Sequence, residues 1–331
     1  MSLTKSDKSK IHNILLITLS NLGDVILTFP VIDILKRDFS DARLSVVAGP
    51  KAEILFKENP HIYRTYIFDK AKSGLQKFFW LMDLRKERFD LVVDLRNTAI
   101  PFLIDGKYST PLQIFKPKTM HMKTKHLHRL KSVFNFETES KIHCALFRNG
   151  KDILYVDNLV RNKIGIGKKI FVAAPGAANH IKRWTKEGFG RVCDQLAEFP
   201  NTKIVFVGDL NDKGIVDDIA SLRHTDFLNL CGETTITQLA ELLRRTTVAL
   251  TNDSAVMHLA SYLDIPVAAI FGPTDPRKYG PWSSRVEVVR KDIFCSPCEK
   301  PGCAYQHECM KHIQPEEVLR VVQNLLTTTH I

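Results

Sequence analysis

The sequence predicts an α/β protein made of two similar domains, each built on a parallel sheet. Three observations lead there. Short apolar runs without alternation recur along the chain, as strands buried on both faces require. Helical patterns lie between most of them, so successive strands are joined by crossovers and run parallel. The alternation pauses between about residues 105 and 168 and then restarts. A chain of 331 residues is long enough for two domains of ordinary size.

In order, the strands are ILLITL (14–19), LSVVAG (44–49), TYIFD (65–69) and DLVVDL (90–95), then KIFVAAPG (169–176), KIVFVG (203–208), VALTN (248–252) and PVAAIFG (266–272). The spacing predicts helices over 25–38, 75–88, 186–198, 212–221, 236–244 and 254–263. The pause ends in a helix-like segment, 152–163, followed by GIGKK, which places the junction near 160–168 and the domains at 1–164 and 165–331. The final segment, 315–326, opens with Pro and two acids, which suit a first helical turn.

Composition excludes several classes. The chain is 44% hydrophobic and 25% charged, as soluble globular proteins are. No run approaches the roughly 18 apolar residues of a membrane span. The opening MSLTKSDKSK is polar and basic, with no signal-peptide pattern after it, so a cytoplasmic protein is expected. The net charge of +11 favours an anionic partner, although solubility alone also accounts for it. Much of the excess is local: residues 116–131 hold Lys116, Lys118, Lys123, Lys125, Arg129 and Lys131 without one acid. No nucleic-acid-binding signature accompanies the charge, and no nucleic acid partner is expected. There is no G-x-x-x-x-G-K-[ST] and no G-x-G-x-x-G after the first strand, so P-loop and dinucleotide fingerprints are both missing.

Ligands of such sheets bind beyond the carboxyl ends of the strands. The unusual residues sit there. TLSNLGDVILTFP (18–30) puts Gly23 and Asp24 at the first strand's exit. APGAANHIKRW (174–184) leaves a strand through Pro-Gly and two alanines, then Lys182 and Arg183, with Thr185 suited to cap the next helix. LTNDSAVMHLASYL (250–263) opens a helix at Ser254-Ala255, whose free N–H groups suit a phosphate. Asp253 also reads as an N-cap, and His258 as a packed side chain. FGPTDPRKYGPW (271–282) is a third exit rich in Gly and Pro. Three such loops in one domain suit a nucleotide diphosphate.

SNLGDVILTFPVIDILKRDF, DLVVDLRNT, APGAANHIKRW and NDSAVMHLA with PVAAIFGPTDP, in this order and spacing, resemble the ADP-heptose:lipopolysaccharide heptosyltransferases of glycosyltransferase family 9. The resemblance covers nearly the whole chain. It implies a GT-B fold, two Rossmann-like domains with parallel sheets facing a central cleft, the acceptor in the N-terminal one and the nucleotide sugar in the C-terminal one. It implies inversion at the anomeric carbon and no required metal; consistent with this, no Asp-x-Asp occurs in the chain. By the resemblance Asp24 is the general base and Gly23 lets the acceptor approach. Lys182 stabilises the leaving diphosphate. Asp253, Ser254, Ala255 and His258 fall on the family's D-[ST]-G-x-x-H, and Gly208 and Asp209 lie near ribose and base. Ala177 and Ala178 stand where the family often has Ser or Thr, and Ala255 where it has Gly; their amides remain but hydroxyl contacts are lost. Arg96, Lys123, Lys125 and Arg129 would meet the phosphates of a lipid-linked acceptor and the anionic surface of the inner membrane. The expected function is therefore an inverting transfer of a sugar, heptose by the resemblance, from an ADP-sugar to a lipopolysaccharide core or related glycan. A same-fold transferase using another nucleotide sugar, or a non-catalytic protein that binds nucleotide sugars or glycans, are the alternatives.

Cys295, Cys298, Cys303 and Cys309 read C-x-x-C-x₄-C-x₅-C. Such thiolates can hold a tetrahedral zinc or an iron–sulfur centre, or remain free thiols. Similar clusters in some family members are not needed for transfer, which implies a structural role.

Overall fold

The structure, a computed structural model, describes residues 3, 5–113, 119–137, 143–222 and 226–327. The chain forms two compact units, Met1–Phe147 and Arg148–Ile331.

Unit 1 holds β1 (Asn13–Ile17), β2 (Arg43–Ala48), β3 (Arg64–Ile67), β4 (Leu91–Asp94) and β5 (Tyr108–Ser109) in the order β3-β2-β1-β4-β5. All its pairings are parallel. β1 is buried throughout because it is central and covered on both faces. Its helices are α1 (Leu22–Ile26), α2 (Phe29–Asp38), α3 (Gly74–Lys86), α4 (Ile100–Leu103) and α5 (Met122–Lys131). The single helix expected over 25–38 is two. Pro30 has no N–H to continue the ladder, and the Thr28 hydroxyl donates to the Val25 carbonyl at 2.6 Å, closing α1. α3 starts in a capping box between Ser73 and Gln76. One face of the sheet packs Leu15, Ile17, Val47 and Val92 against Leu84 of α3 and Phe89.

Unit 2 holds α6 (Gly150–Leu159), β6 (Lys169–Ala174), α7 (Lys186–Ala197), β7 (Thr202–Phe206), α8 (Lys213–Ser221), β8 (Phe227–Asn229), α9 (Ile236–Leu243) and β9 (Thr246–Asn252). α10 (Ala255–Tyr262), β10 (Val267–Phe271), α11 (Pro276–Tyr279), β11 (Val286–Arg290), α12 (Glu308–Lys311) and α13 (Pro315–Thr327) follow. Its parallel sheet runs β11-β10-β9-β6-β7-β8. Phe171, Phe189, Phe206, Val318 and Val322 fill one face, with α7 and α13 over the strands.

The two parallel sheets expected from the sequence are both present. The division between units falls at 147/148, earlier than the expected 164/165, because α6 packs on α9. Arg245 Nη1 meets Asp157 Oδ1 at 2.6 Å, and the Tyr155 hydroxyl donates to the Glu233 carbonyl at 3.1 Å. The edge strands β8 and β11 escaped the sequence reading: one is three residues long and the other, VEVVR, carries charges. Among the described residues no helix is long and apolar enough to cross a membrane.

Candidate active site

In unit 1 the chain runs from β1 outward to β3 and then crosses to β4, so the topological switch lies between β1 and β4. Asp24 stands in α1, at the exit of β1 beside that switch. It is half-buried, and Asn21 Nδ2 donates to its Oδ2 at 3.0 Å. That bond orients the carboxylate and leaves its other oxygen for a ligand. Gly23, also half-buried, precedes it. Gly49, at the end of β2, supports the same loop. A Cβ there would lie 2.7 Å from Ser20 Cα and 2.9 Å from Ser20 O. The sequence reading passed over Gly49 because only the fold brings it against Ser20.

On the other side of the switch, the chain turns after β4. The buried Asp94 carboxylate accepts the backbone N–H of Arg96 at 2.8 Å and the Thr98 hydroxyl at 2.9 Å. Asn97 takes a left-handed φ of 62°, which asparagine tolerates. Arg96 is half-buried, its guanidinium 5.1 Å from the centre of the Phe68 ring. Burial holds its pKa below the ordinary value while Asp94 opposes the shift.

Within the basic cluster Arg129 does not face solvent. Arg129 is 3% exposed and turns inward: its Nε donates to the Asp94 carbonyl at 2.6 Å and its Nη1 to Asn97 Oδ1 at 3.1 Å. Its charge therefore shapes the β4 turn, in place of the surface contact expected of it. Lys123 and Lys125 are half-buried, and burial lowers the Lys123 pKa. His126 is buried, with no hydrogen-bond partner on either ring nitrogen. Burial, then Lys125, Arg129 and His121, bring its pKa down to about 3, so the imidazole is neutral. Lys116 and Lys118 lie outside the described residues.

In unit 2 the switch falls between β6 and β9, and the exits of both strands meet there. Asn252 Nδ2 donates to the Pro175 carbonyl at 2.7 Å, and the Trp184 N–H donates to Asn252 Oδ1 at 3.1 Å. This pair of bonds fixes the β6 loop against β9. Lys182 Nζ then reaches Asp253 Oδ2 at 2.7 Å. Ser254 caps α10, yet its hydroxyl makes no capping bond; it is buried without a partner. The start of α10, with its free N–H groups and the unpartnered Ser254 hydroxyl, thus follows directly on the Lys182–Asp253 pair, and a helix N-terminus beside a lysine suits an anion. Ala255 opens α10 and is half-exposed; Ala177 is buried and Ala178 exposed. His258 is packed, stacked on Trp282 with centroids 5.7 Å apart and planes at 27°.

Residues 117–308, more than half of the chain, match the sequence model of glycosyltransferase family 9 (heptosyltransferase). The chain belongs to that family. Lipooligosaccharide heptosyltransferase 2 of Campylobacter jejuni is 28% identical over 323 residues, 94% of this chain and 97% of that protein. Two solved structures share the fold. The family 9 glycosyl transferase of Veillonella parvula aligns with a TM-score of 0.80 at 21% identity, covering 96% of this chain and 98% of that one. The Escherichia coli ADP-heptose lps heptosyltransferase II aligns at 0.75 and 20% identity, covering 96% and 100%. The architecture is thus GT-B, and the chain is a glycosyltransferase.

In this family 9 transferase the loop 208–212, expected near ribose and base, ends in Asp212. Asp212 is buried where the β6 and β7 exits meet, and its Oδ2 accepts the Asp209 N–H at 3.1 Å. A Cβ on Gly176 would overlap this carboxylate, and one on Gly208 would lie 2.7 Å from it. The two glycines are the signal: both leave room for the same side chain. Burial raises the Asp212 pKa, and Arg183 Nη2, 3.8 Å away, opposes that. Arg183 also donates twice to the Ala177 carbonyl, holding the β6 loop closed on itself. Asp209 is exposed at the β7 exit.

None of the seven cysteines is in a disulfide. Cys303 Sγ accepts the N–H groups of Tyr305 and His307 at 3.3 Å each. Burial, then Cys295, Cys303 and Cys298, push the Cys309 thiol up to about 11. As placed, no three His, Cys, Asp or Glu side chains among the described residues are grouped as a metal site. The cysteine loop braces its neighbours. The Ser296 hydroxyl donates to the Gly272 carbonyl at 2.6 Å, and Asn179 Nδ2 donates to the Pro301 carbonyl at 3.2 Å.

Proposed function

We propose that this enzyme transfers heptose from ADP-heptose to the core of a lipopolysaccharide or lipooligosaccharide, at the cytoplasmic face of the inner membrane. The observation that carries the reading is the β6/β9 switch of unit 2. Lys182, the unpartnered Ser254 hydroxyl and the first turn of α10 together fit a diphosphate. The names of its relatives, a lipooligosaccharide heptosyltransferase and an ADP-heptose lps heptosyltransferase, support the donor and the acceptor.

The chemistry is one inverting displacement. The acceptor hydroxyl attacks the anomeric carbon, the bond from that carbon to the diphosphate oxygen breaks, and ADP leaves with the electron pair. Asp24 takes the hydroxyl proton, a contribution of roughly 10²–10⁴ in rate. Lys182 and the α10 amides meet the charge that develops on the diphosphate. With a lysine and a helix terminus in that role, transfer proceeds without a divalent metal. Asp253 holds Lys182 in place and meets sugar hydroxyls, and Gly208 and Asp209 lie beside the nucleoside. Arg96, Lys123 and Lys125 take the acceptor's anionic groups; Arg129 positions Arg96 through Asp94 and Asn97. The cysteine loop braces the donor unit, and no step of transfer passes through it.

The test is a titration of ADP-heptose against UDP- and GDP-sugars, with transfer measured for Asp24→Asn. ADP-heptose should bind best, and the variant should lose transfer by ~10²-fold or more while keeping donor affinity. Tighter binding of a UDP- or GDP-sugar overturns the donor; undiminished transfer by the variant overturns the base.

A further inference from the structure

α3 is apolar on two sides, and only one of them is covered among the described residues. Trp80, Leu81 and Leu84 face the sheet, where they join the apolar cluster of unit 1. Leu75, Phe78 and Phe79 point away from it and are 67%, 54% and 59% exposed. α4 packs beside α3 and adds Phe102 and Leu103, 61% and 49% exposed. A single exposed phenylalanine is ordinary, but five large apolar side chains on two adjacent helices make a surface that meets something. Its frame is cationic. Lys70 and Lys72 precede α3, and Arg85 and Lys86 close it, all exposed; across residues 70–86 the only acid is Asp83.

We infer that the α3–α4 face is the surface by which the enzyme sits on an anionic phospholipid bilayer. Aromatic and leucine side chains enter the boundary between headgroups and acyl chains while a basic rim meets the headgroup charge. A second copy of the chain fits worse. A two-fold contact sets the same patch against itself and would bring the basic rim of one copy, Lys70, Lys72, Arg85 and Lys86, against that of the other. The inference deepens the reading of a lipid-linked acceptor, but it stands on the helix face itself. It also moves the membrane contact from the basic cluster around α5, whose Arg129 is turned inward, to a face open to solvent.

The experiment is co-sedimentation of the full chain with vesicles of phosphatidylethanolamine and phosphatidylglycerol, and with phosphatidylcholine alone. The chain should bind the anionic vesicles in preference, and Phe78→Ser with Phe79→Ser should lower that binding about tenfold or more. Lys70→Glu with Lys72→Glu should remove the preference for anionic lipid. Thermal unfolding and transfer to a delipidated, water-soluble acceptor should be unchanged in both. Phe102→Ser, on α4, supplies the same readout should the paired phenylalanine variant fold poorly. Equal sedimentation of wild type and variants, or no binding to anionic vesicles, overturns the inference. So does a wild-type dimer in analytical ultracentrifugation that the phenylalanine variant converts to monomer. Failure of the soluble transfer assay in the wild type would instead overturn the proposed function and leave the vesicle result standing.

Discussion

Lys182→Met tests the donor site most directly, because one contact there has both a structural and a chemical task. Lys182 Nζ lies 2.7 Å from Asp253 Oδ2, and the Asp253 side chain is 6% exposed while that of Lys182 is 32% exposed. At this contact, with an effective dielectric of about 20, the attraction is on the order of 6 kcal/mol before desolvation is subtracted. Removing one partner of a fully buried pair costs about 3–5 kcal/mol, because the other charge is left without compensation. Water reaches Lys182, which reduces the expected loss to about 2 kcal/mol. Adding Asp253→Asn removes the stranded charge, so the double variant should recover about 1 kcal/mol over Lys182→Met alone. Urea unfolding of the wild type, both single variants and the double variant measures this cycle. Transfer should fall about 10²-fold or more in Lys182→Met, from the loss of a cation at the leaving group. Unchanged stability together with additive single variants would refute the buried-pair argument. Lowered stability with full transfer would leave Lys182 a structural residue only.

Two further outcomes follow from unit 1. Gly49→Ala puts a Cβ against the Ser20 backbone, where the φ of −76° is ordinary and the clash is purely steric. It should cost about 1–3 kcal/mol and lower transfer while leaving donor affinity intact, since only the Asp24 loop moves; donor titration beside a rate assay checks this. His126 should make the protein acid-sensitive. Its pKa of about 3 in the fold lies below the ordinary 6.5, so the stability it confers is complete above pH 6.5 and is lost as pH falls toward 3. Between pH 6.5 and 4.5 that amounts to about 2–3 kcal/mol. His126→Phe should flatten the unfolding free energy over this range, and parallel profiles for the two proteins would refute the assignment.

The central strands could be read from the sequence because they are buried on both faces, and ILLITL or KIVFVG needs no distant partner to show it. The exits that carry Asp24, Lys182 and Asp253 were legible for the same reason: glycine, proline and polar residues at the end of an apolar run mark a strand's end. The break between α1 and α2 could also have been read, since Pro30 sits in plain view within the pattern. Local composition thus determined which segments are strands and helices, and which loops hold the chemistry.

Strand order is a different matter. Lys182 and Asp253 are 71 residues apart and meet only because β6 and β9 are neighbours. Asp212 lies over Gly176 only because β7 runs beside β6, and Gly49 touches Ser20 only because β2 pairs with β1. Arg129, which reads as one more cation in a basic run, was turned inward by the carbonyl of Asp94. α6 joined unit 2 through its packing on α9, and the outer face of α3 is exposed because nothing among the described residues covers it. The sequence by itself determined the elements, since apolar periodicity and turn chemistry act over a few residues. Only the tertiary structure decided which side chains meet and which stay exposed, since contacts between distant residues form when the whole sheet assembles.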